Sequence, residues 1–253
     1  MRGTLVIARK ELRQLFGSPI AYVSLAMFFL IIGFLFFSLV GLYTAQLVQL
    51  QGAPPPDFNP TRIIFTPLYQ DATFVLILLV PVMTMRLISE EDRAHTMELL
   101  ATSPVTNTAI ILGKYVAIVL LFLVLLTISA YMPVSLALIG RLDWGLLGST
   151  YAGLLLLGGA FLAIGLFAST LNENQIVSAA IGFALLLIFW VLGFAQQATG
   201  SAVQEILSSL SFASHFGNLS GGVIDSQDVV FFLSLAGFFL FLGVVALEAR
   251  KWR

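Results

Sequence analysis

The chain of 253 residues is 59% hydrophobic and only 10% charged, with a mean hydropathy of +1.00. That balance excludes a soluble domain, whose core needs a charged coat, and a net charge of −1 without a basic tract excludes nucleic acid as a partner. No cysteine is present, and His95 and His215 lack metal-ligand spacing, so no metal site is expected and each histidine reads as a solvated loop residue.

The first element is amphipathic. In "TLVIARKELRQLFGSP", Leu5, Ala8, Leu12, Leu15 and Phe16 share one helical face, and Arg9, Lys10, Arg13 and Gln14 the other. An interfacial helix is expected over residues 1–18, ended by Gly17 and Pro19. The apolar run behind it lacks an A-x-A-like cleavage site and reads as a retained first span.

A membrane helix needs about 20 mostly apolar residues. Windows at 20–43, 72–88, 108–139, 146–170, 175–196 and 229–248 meet or approach that length. The second is short and contains Pro81; the third is long enough that its first turns, with Lys114, are expected to stand in the cytoplasm. Placing both termini inside puts ten of the twelve basic residues on the inner side and leaves only Arg62 and Arg141 outside. The expected fold is therefore an all-α, multi-pass protein of the inner (cytoplasmic) membrane, one domain over 1–253 with six transmembrane helices.

Two outer connections follow from this layout. Residues 44–71 carry the proline-rich "GAPPPDFNP", which resists regular helix. Residues 197–228 have Val203, Ile206, Leu207 and Leu210 at helical spacing, predicting a short helix on or in the outer leaflet, with Asp225 and Asp228 as solvated or helix-capping residues. The pairs Gly148/Ala152, Gly159/Ala163 and Ser178/Gly182 are small-xxx-small contacts, within one subunit or between two.

Several chemistries are missing. No ionisable residue lies at the centre of a span, which disfavours a proton- or sodium-driven carrier. No nucleophile–base pair or metal set is visible, so no catalytic residue is assigned. "LGKY" at 112–115 lacks the upstream glycine and following Ser/Thr of a nucleotide-binding loop, so the chain is expected to hold no cofactor of its own.

One island of charge interrupts the apolar runs: "SEEDRAHTMELLATSP", residues 89–104. Ser89 with Asp92 fits a capping box that would start a helix as the second span ends. Glu91, His95, Glu98 and Thr102 then form a polar stripe facing away from the membrane protein, and Met97, Leu100, Ala101 and Pro104 an apolar one. Ser103 as N-cap with Pro104 behind it would start the third span.

Residues 86–115, "RLISEEDRAHTMELLATSPVTNTAIILGKY", resemble the signature of ABC-2-type ABC transporter permeases in their Glu-Glu pair, Thr96, Glu98, Leu99-Leu100, Ser103-Pro104 and Gly113-Lys114. The six-span layout with its amphipathic N-terminal helix is similar across the whole chain, the architecture of type V exporters. The resemblance implies that residues 89–103 form a cytoplasmic coupling helix seated in a separate ATPase subunit, through Glu90, Glu91, Asp92, Arg93, His95, Thr96, Glu98, Leu99 and Leu100. His95 stands where the family often has glycine. Beside it lie the interfacial helix with Arg9, Lys10 and Arg13, and a second cytoplasmic loop at Asn172, Glu173 and Asn174. ATP and magnesium would bind the partner.

The stretch "SFASHFGNLSGGVIDSQDVVFFLSL" is similar to the gliding-motility-associated permeases, except that Gly221 stands where a basic residue is expected. That likeness implies a partner with a large extracytoplasmic domain. Two readings compete: a permease working as a homodimer, or with a related permease, on two ATPase subunits, exporting an amphipathic or polymeric substrate or moving an outer partner; and an ATPase-independent channel or secondary carrier. An intramembrane enzyme is disfavoured by the absence of ionisable residues at depth.

Overall fold

Where water is scarce, a helix satisfies its own backbone, and every long apolar run in this chain folds as one. The computed structural model describes residues 2–50, 58–93, 106–138, 140, 142–195 and 209–250, and among these no strand occurs. The elements are α1 (Arg2–Gly17), α2 (Pro19–Gln49), a π-helical turn (Thr61–Phe65), α3 (Thr66–Thr84), α4 (Arg86–Arg93), α5 (Asn107–Ser129), α6 (Tyr131–Ala137), α7 (Trp144–Leu171), α8 (Gln175–Ala195), α9 (Phe212–Ser220) and α10 (Ser226–Arg250).

Six helical stretches are long and apolar enough to cross a membrane, one for each window expected from the sequence. Their ends differ from the expectation. α2 continues to Gln49, and helix resumes at Thr61, so much of the connection assigned to 44–71 is helical, while residues 51–57 lie outside the described residues. The third window breaks at Ala130, the residue between α5 and α6, three positions before Pro133. Its N-cap is Thr106, whose side chain accepts from the Ala109 amide at 3.2 Å; Ser103 and Pro104 lie outside the described residues. Ser18 caps α2 ahead of Pro19, and Asp143 caps α7 by accepting from the Gly145 and Leu146 amides.

Burial sorts the spans into two groups. The apolar windows of α7 and α3 are 78% and 72% buried, against 22% for α2, α8 and α10, so α3, α5 and α7 form the centre and the other three wrap it. Their exposed faces are apolar, as a lipid-facing surface must be.

Close approach at the centre depends on missing side chains. A Cβ on Gly158 would strike the ring of Phe122, one on Gly165 would strike Thr84, and one on Gly153 would lie 2.8 Å from Leu219 Cβ. Of the three small-residue pairs read from the sequence, two pack inside the subunit: Gly159 faces Tyr115, and Gly182 faces Ala168 and Pro81. Gly148 has nothing within 4 Å and Ala152 is exposed.

Near the α9 end of the bundle, the short helix expected over 203–210 lies mostly outside the described residues, of which 209–210 are helical, and a further helix begins at Phe212. Phe212 meets Phe161 midway along α7, Leu219 lies against Gly153, and Gly222 approaches Leu146 near the start of α7. α9 thus starts deep in the bundle and climbs outward. Gly222, at φ +93°, makes the turn into α10, a conformation that a side chain would strain.

His215 and Asp228 correct the expectation of solvated groups. Both are buried, with His215 Nδ1 2.6 Å from Asp228 Oδ1 and the imidazole stacked on Phe231 at 4.1 Å. Asn218 donates to both Asp228 oxygens, and His215 Nε2 meets the Ser209 carbonyl at 3.2 Å. Burial is tolerated because each of these polar atoms finds a partner, Asp228 across the α9–α10 turn and the Ser209 carbonyl just before α9. Asp225, by contrast, caps α10 by accepting from the Gln227 amide.

The glycine contacts give a paired test. Gly158→Ala should cost about 1–3 kcal/mol, because Phe122 must leave its place in a packed core. Gly148→Ala should be neutral or slightly stabilising, and unfolding midpoints of the two variants in the same detergent compare them directly.

Candidate functional site

The densest charge chemistry lies where α1, α4 and α5 meet. α5 carries Lys114, whose side chain is 1% exposed, and its ammonium donates to Glu11 Oε1 from α1 at 2.8 Å. The same nitrogen lies 2.8 Å from Glu91 Oε2 on α4. Lys10, the neighbour of Glu11, donates to Glu91 Oε1 at 2.8 Å and stands 3.8 Å from Glu11. Two cations and two carboxylates therefore close into one neutral cluster.

Burial opposes the charge on Lys10, but the hydrogen bond and charge of Glu91, joined by the charge of Glu11, outweigh it and hold the ammonium above the ordinary lysine value. Ion pairs removed from water gain little unless their geometry is good, whereas removing one member strands the other charge. The cluster is thus a constraint on position more than a source of stability.

α1 reaches this place because Gly113 lets it. A Cβ there would lie 2.8 Å from Ile7, so only glycine admits α1 onto α5. The docked face of α1 is Ile7, Ala8 and Glu11, while Leu5, on the face expected to lie in lipid, stays exposed. α1 is accordingly a helix docked on α5. This corrects two expectations. Lys114, expected at the cytoplasmic start of its span, is covered by α1 and not open to solvent, and Glu91 does not belong to an outward stripe, because the two lysines draw it in.

α4 is fixed on its other flank by hydroxyls. The chain turns at Met85, four residues after Pro81, which lacks a backbone donor and weakens the end of α3. Ser169 of α7 then bridges the break: its oxygen accepts from the Ile88 and Ser89 amides at 3.0 and 3.2 Å, and its hydroxyl lies 3.0 Å from the Met85 carbonyl. Ser89 Oγ is 2.7 Å from the Asn172 carbonyl and 2.8 Å from Ser178 Oγ. Ser89 is therefore no N-cap. It lies inside α4 and ties that helix to the α7–α8 connection, where Asn172 and Asn174 cap the following turn through their side chains.

The sequence-derived residues fall into three groups. Glu90 and Arg93 are exposed on α4, as are Arg9 and Arg13 on α1 and Glu173 and Asn174 in the connection. Asp92 is half-buried. Glu91, Lys10 and Asn172 hold these segments together at one end of the bundle. His95, Thr96, Glu98, Leu99 and Leu100 lie outside the described residues. Glu11, Ser169 and Ser178 were missed. Glu11 had a signal, being the sole acid of α1, and Lys114 another, as a charge set in an apolar run, where a partner is obligatory. Serines in a membrane helix carry no comparable signal.

Between α1, the start of α2, α4 and α5 opens a cavity of about 720 Å³. Arg86 stands at its wall, donating from Nε and Nη2 to Glu90 at 2.8 and 2.9 Å and from Nη1 to Ser18 Oγ at 2.9 Å. No group of acidic or histidine side chains able to hold a metal occurs among the described residues.

These features define an all-helical, polytopic membrane protein whose charged end is built from sequence-distant segments. The family model for the ABC-2 family transporter protein matches residues 5–251, nearly the whole chain, and the protein belongs to that family. It is thereby a membrane component of an ABC transporter, a family that works with an ABC ATPase in general. No curated protein matches the chain.

Lys114→Met should destabilise the protein by about 3–5 kcal/mol, since it takes the hydrogen-bonded cation from buried Glu11 and leaves Glu91 with Lys10 alone. Lys10→Met should cost much less, because Lys114 remains and Lys10 is half-exposed. Adding Glu11→Gln and Glu91→Gln to Lys114→Met should recover part of the loss, as read from chemical unfolding in micelles.

Proposed function

We propose that the chain is the permease subunit that turns ATP hydrolysis by a separate ATPase into a rearrangement of its spans. The observation that carries this reading is mechanical. α1, α4 and the 172–174 connection present exposed charged residues at one end, and the ion cluster and the serine contacts bind all three to the central helices. A partner seated there would pull on α3, α5 and α7 together. ATP and magnesium would be held by that partner, since no nucleotide loop occurs in this sequence.

In this reading the charged end is cytoplasmic, in agreement with ten of the twelve basic residues lying on that side. The coupling helix of this reading is residues 89–103, of which 94–103 lie outside the described residues. Two permeases, identical or related, would work with two ATPases. The moved object would be an amphipathic or polymeric substrate or, as the likeness to gliding-motility permeases suggests, an extracytoplasmic partner meeting the α9–α10 end.

Copurification in mild detergent tests this. An ATPase subunit should accompany the tagged protein. Arg93→Glu with Glu173→Arg, both exposed, should weaken that association about tenfold or more while leaving the unfolding midpoint unchanged. Association untouched by the pair, or transport by the purified chain alone, would overturn the reading.

A further inference from the structure

The cavity at the α1–α2 elbow is lined by two unlike kinds of group, apolar Leu15, Ile20, Met83 and Leu121 and charged Lys10, Arg86 and Glu90. Water alone would leave the apolar groups wet, and a purely apolar occupant would strip the charged ones of solvent without replacement. An amphiphile satisfies both.

The charges specify its headgroup. Among the described residues the ionisable lining comprises three cations, Lys10, Arg86 and Lys114, and three anions, Glu11, Glu90 and Glu91, so no net field selects an anion. All six are ion-paired with one another, Lys114 with Glu11 and Glu91, Lys10 with Glu91, and Arg86 with Glu90. Lys10 and Glu90, 49% and 48% exposed, nevertheless keep hydrogen-bonding capacity of each sign: an ammonium has three donors and a carboxylate about four acceptor sites. Arg86 uses three of its donors and retains two. Phosphate can thus be met by Lys10 and Arg86, and a nearby ammonium by Glu90. Among the described residues the lining contains no Phe, Tyr or Trp to form the aromatic face that holds a quaternary choline group, whereas a primary ammonium can donate hydrogen bonds to Glu90.

We propose that this elbow cavity binds one membrane phospholipid with a zwitterionic headgroup ending in a primary ammonium, the ethanolamine class. Its glycerol and first chain carbons lie against Leu15 and Ile20, where amphipathic α1 joins the first span. The lipid would wedge α1 against α4 beside the ion cluster, independently of any transported substrate.

The test uses the full-length protein, stripped of lipid in detergent and titrated separately with dioleoyl phosphatidylethanolamine, phosphatidylcholine, phosphatidylglycerol and soluble phosphoethanolamine. Bound molecules are counted by native mass spectrometry. One ethanolamine lipid should bind about tenfold more tightly than the choline lipid, the worth of one charge-assisted hydrogen bond, and soluble phosphoethanolamine should not bind in the same range. Gly17 lines the cavity and has nothing within 4 Å of a built Cβ, so Gly17→Trp should fill the space and abolish the tight site at an unchanged unfolding midpoint. Glu90→Gln should keep lipid binding but lose the preference for ethanolamine over choline; it decides the matter if Gly17→Trp lowers the midpoint. Equal binding of the three lipids, tightest binding of the glycerol lipid, binding of soluble phosphoethanolamine as strong as the lipid, or a Gly17→Trp protein that binds unchanged would each overturn the proposal.

Discussion

A lysine ammonium cannot be taken out of water alone, and Lys114 is almost wholly buried. That requirement organises one end of the molecule. Two carboxylates must reach the same point, and they come from helices far away in sequence, Glu11 on α1 and Glu91 on α4. For Glu11 to arrive, α1 must lie directly on α5, which Gly113 permits by offering no side chain beneath Ile7. For Glu91 to arrive, the chain must turn at Met85 so that α4 points its acid inward. Charge, glycine and helix break act as one constraint.

The turn at Met85 has its own support. Ser169 meets the donors and the carbonyl exposed where α3 gives way to α4, and Ser89 passes the contact on to Asn172 and Ser178. Helix breaks inside a membrane bundle survive only where neighbours satisfy the freed backbone groups. The consequence reaches beyond stability: α4, the α7–α8 connection and α1 cannot shift separately without losing buried polar contacts. In the proposed coupling role, a push on an exposed residue of that end would be shared by the three central helices. The elbow cavity lies within the same assembly.

The opposite end follows similar physics with different groups. α9 descends to the level of Phe161, so His215 is carried into a ring-lined site and needs Asp228, Asn218 and the Ser209 carbonyl as partners. The turn that brings Asp228 back depends on Gly222. Buried polar contacts between neighbouring segments thus order both ends of the molecule, while the middle relies on close helix contact through Gly153, Gly158 and Gly165.

Apolar length is a one-dimensional property, so the sequence alone determined the six spans, the amphipathic first helix, the charged island and the family likeness, to within a few residues at most helix ends. Periodicity also ranked the faces of α1, but for a helix lying on lipid; docking on α5 kept Ala8 of that face buried, left Leu5 exposed and added Ile7 and Glu11. Whether Glu91 points to solvent or inward cannot be read from its own neighbours, because the answer is set by Lys10 and Lys114, 81 and 23 positions away. The same holds for Ser89 and Ser169, and for His215, whose partner lies across a turn made possible by one glycine. Spans follow from local composition; the destination of each buried polar group was decided only by the tertiary structure, since its partner comes from another helix.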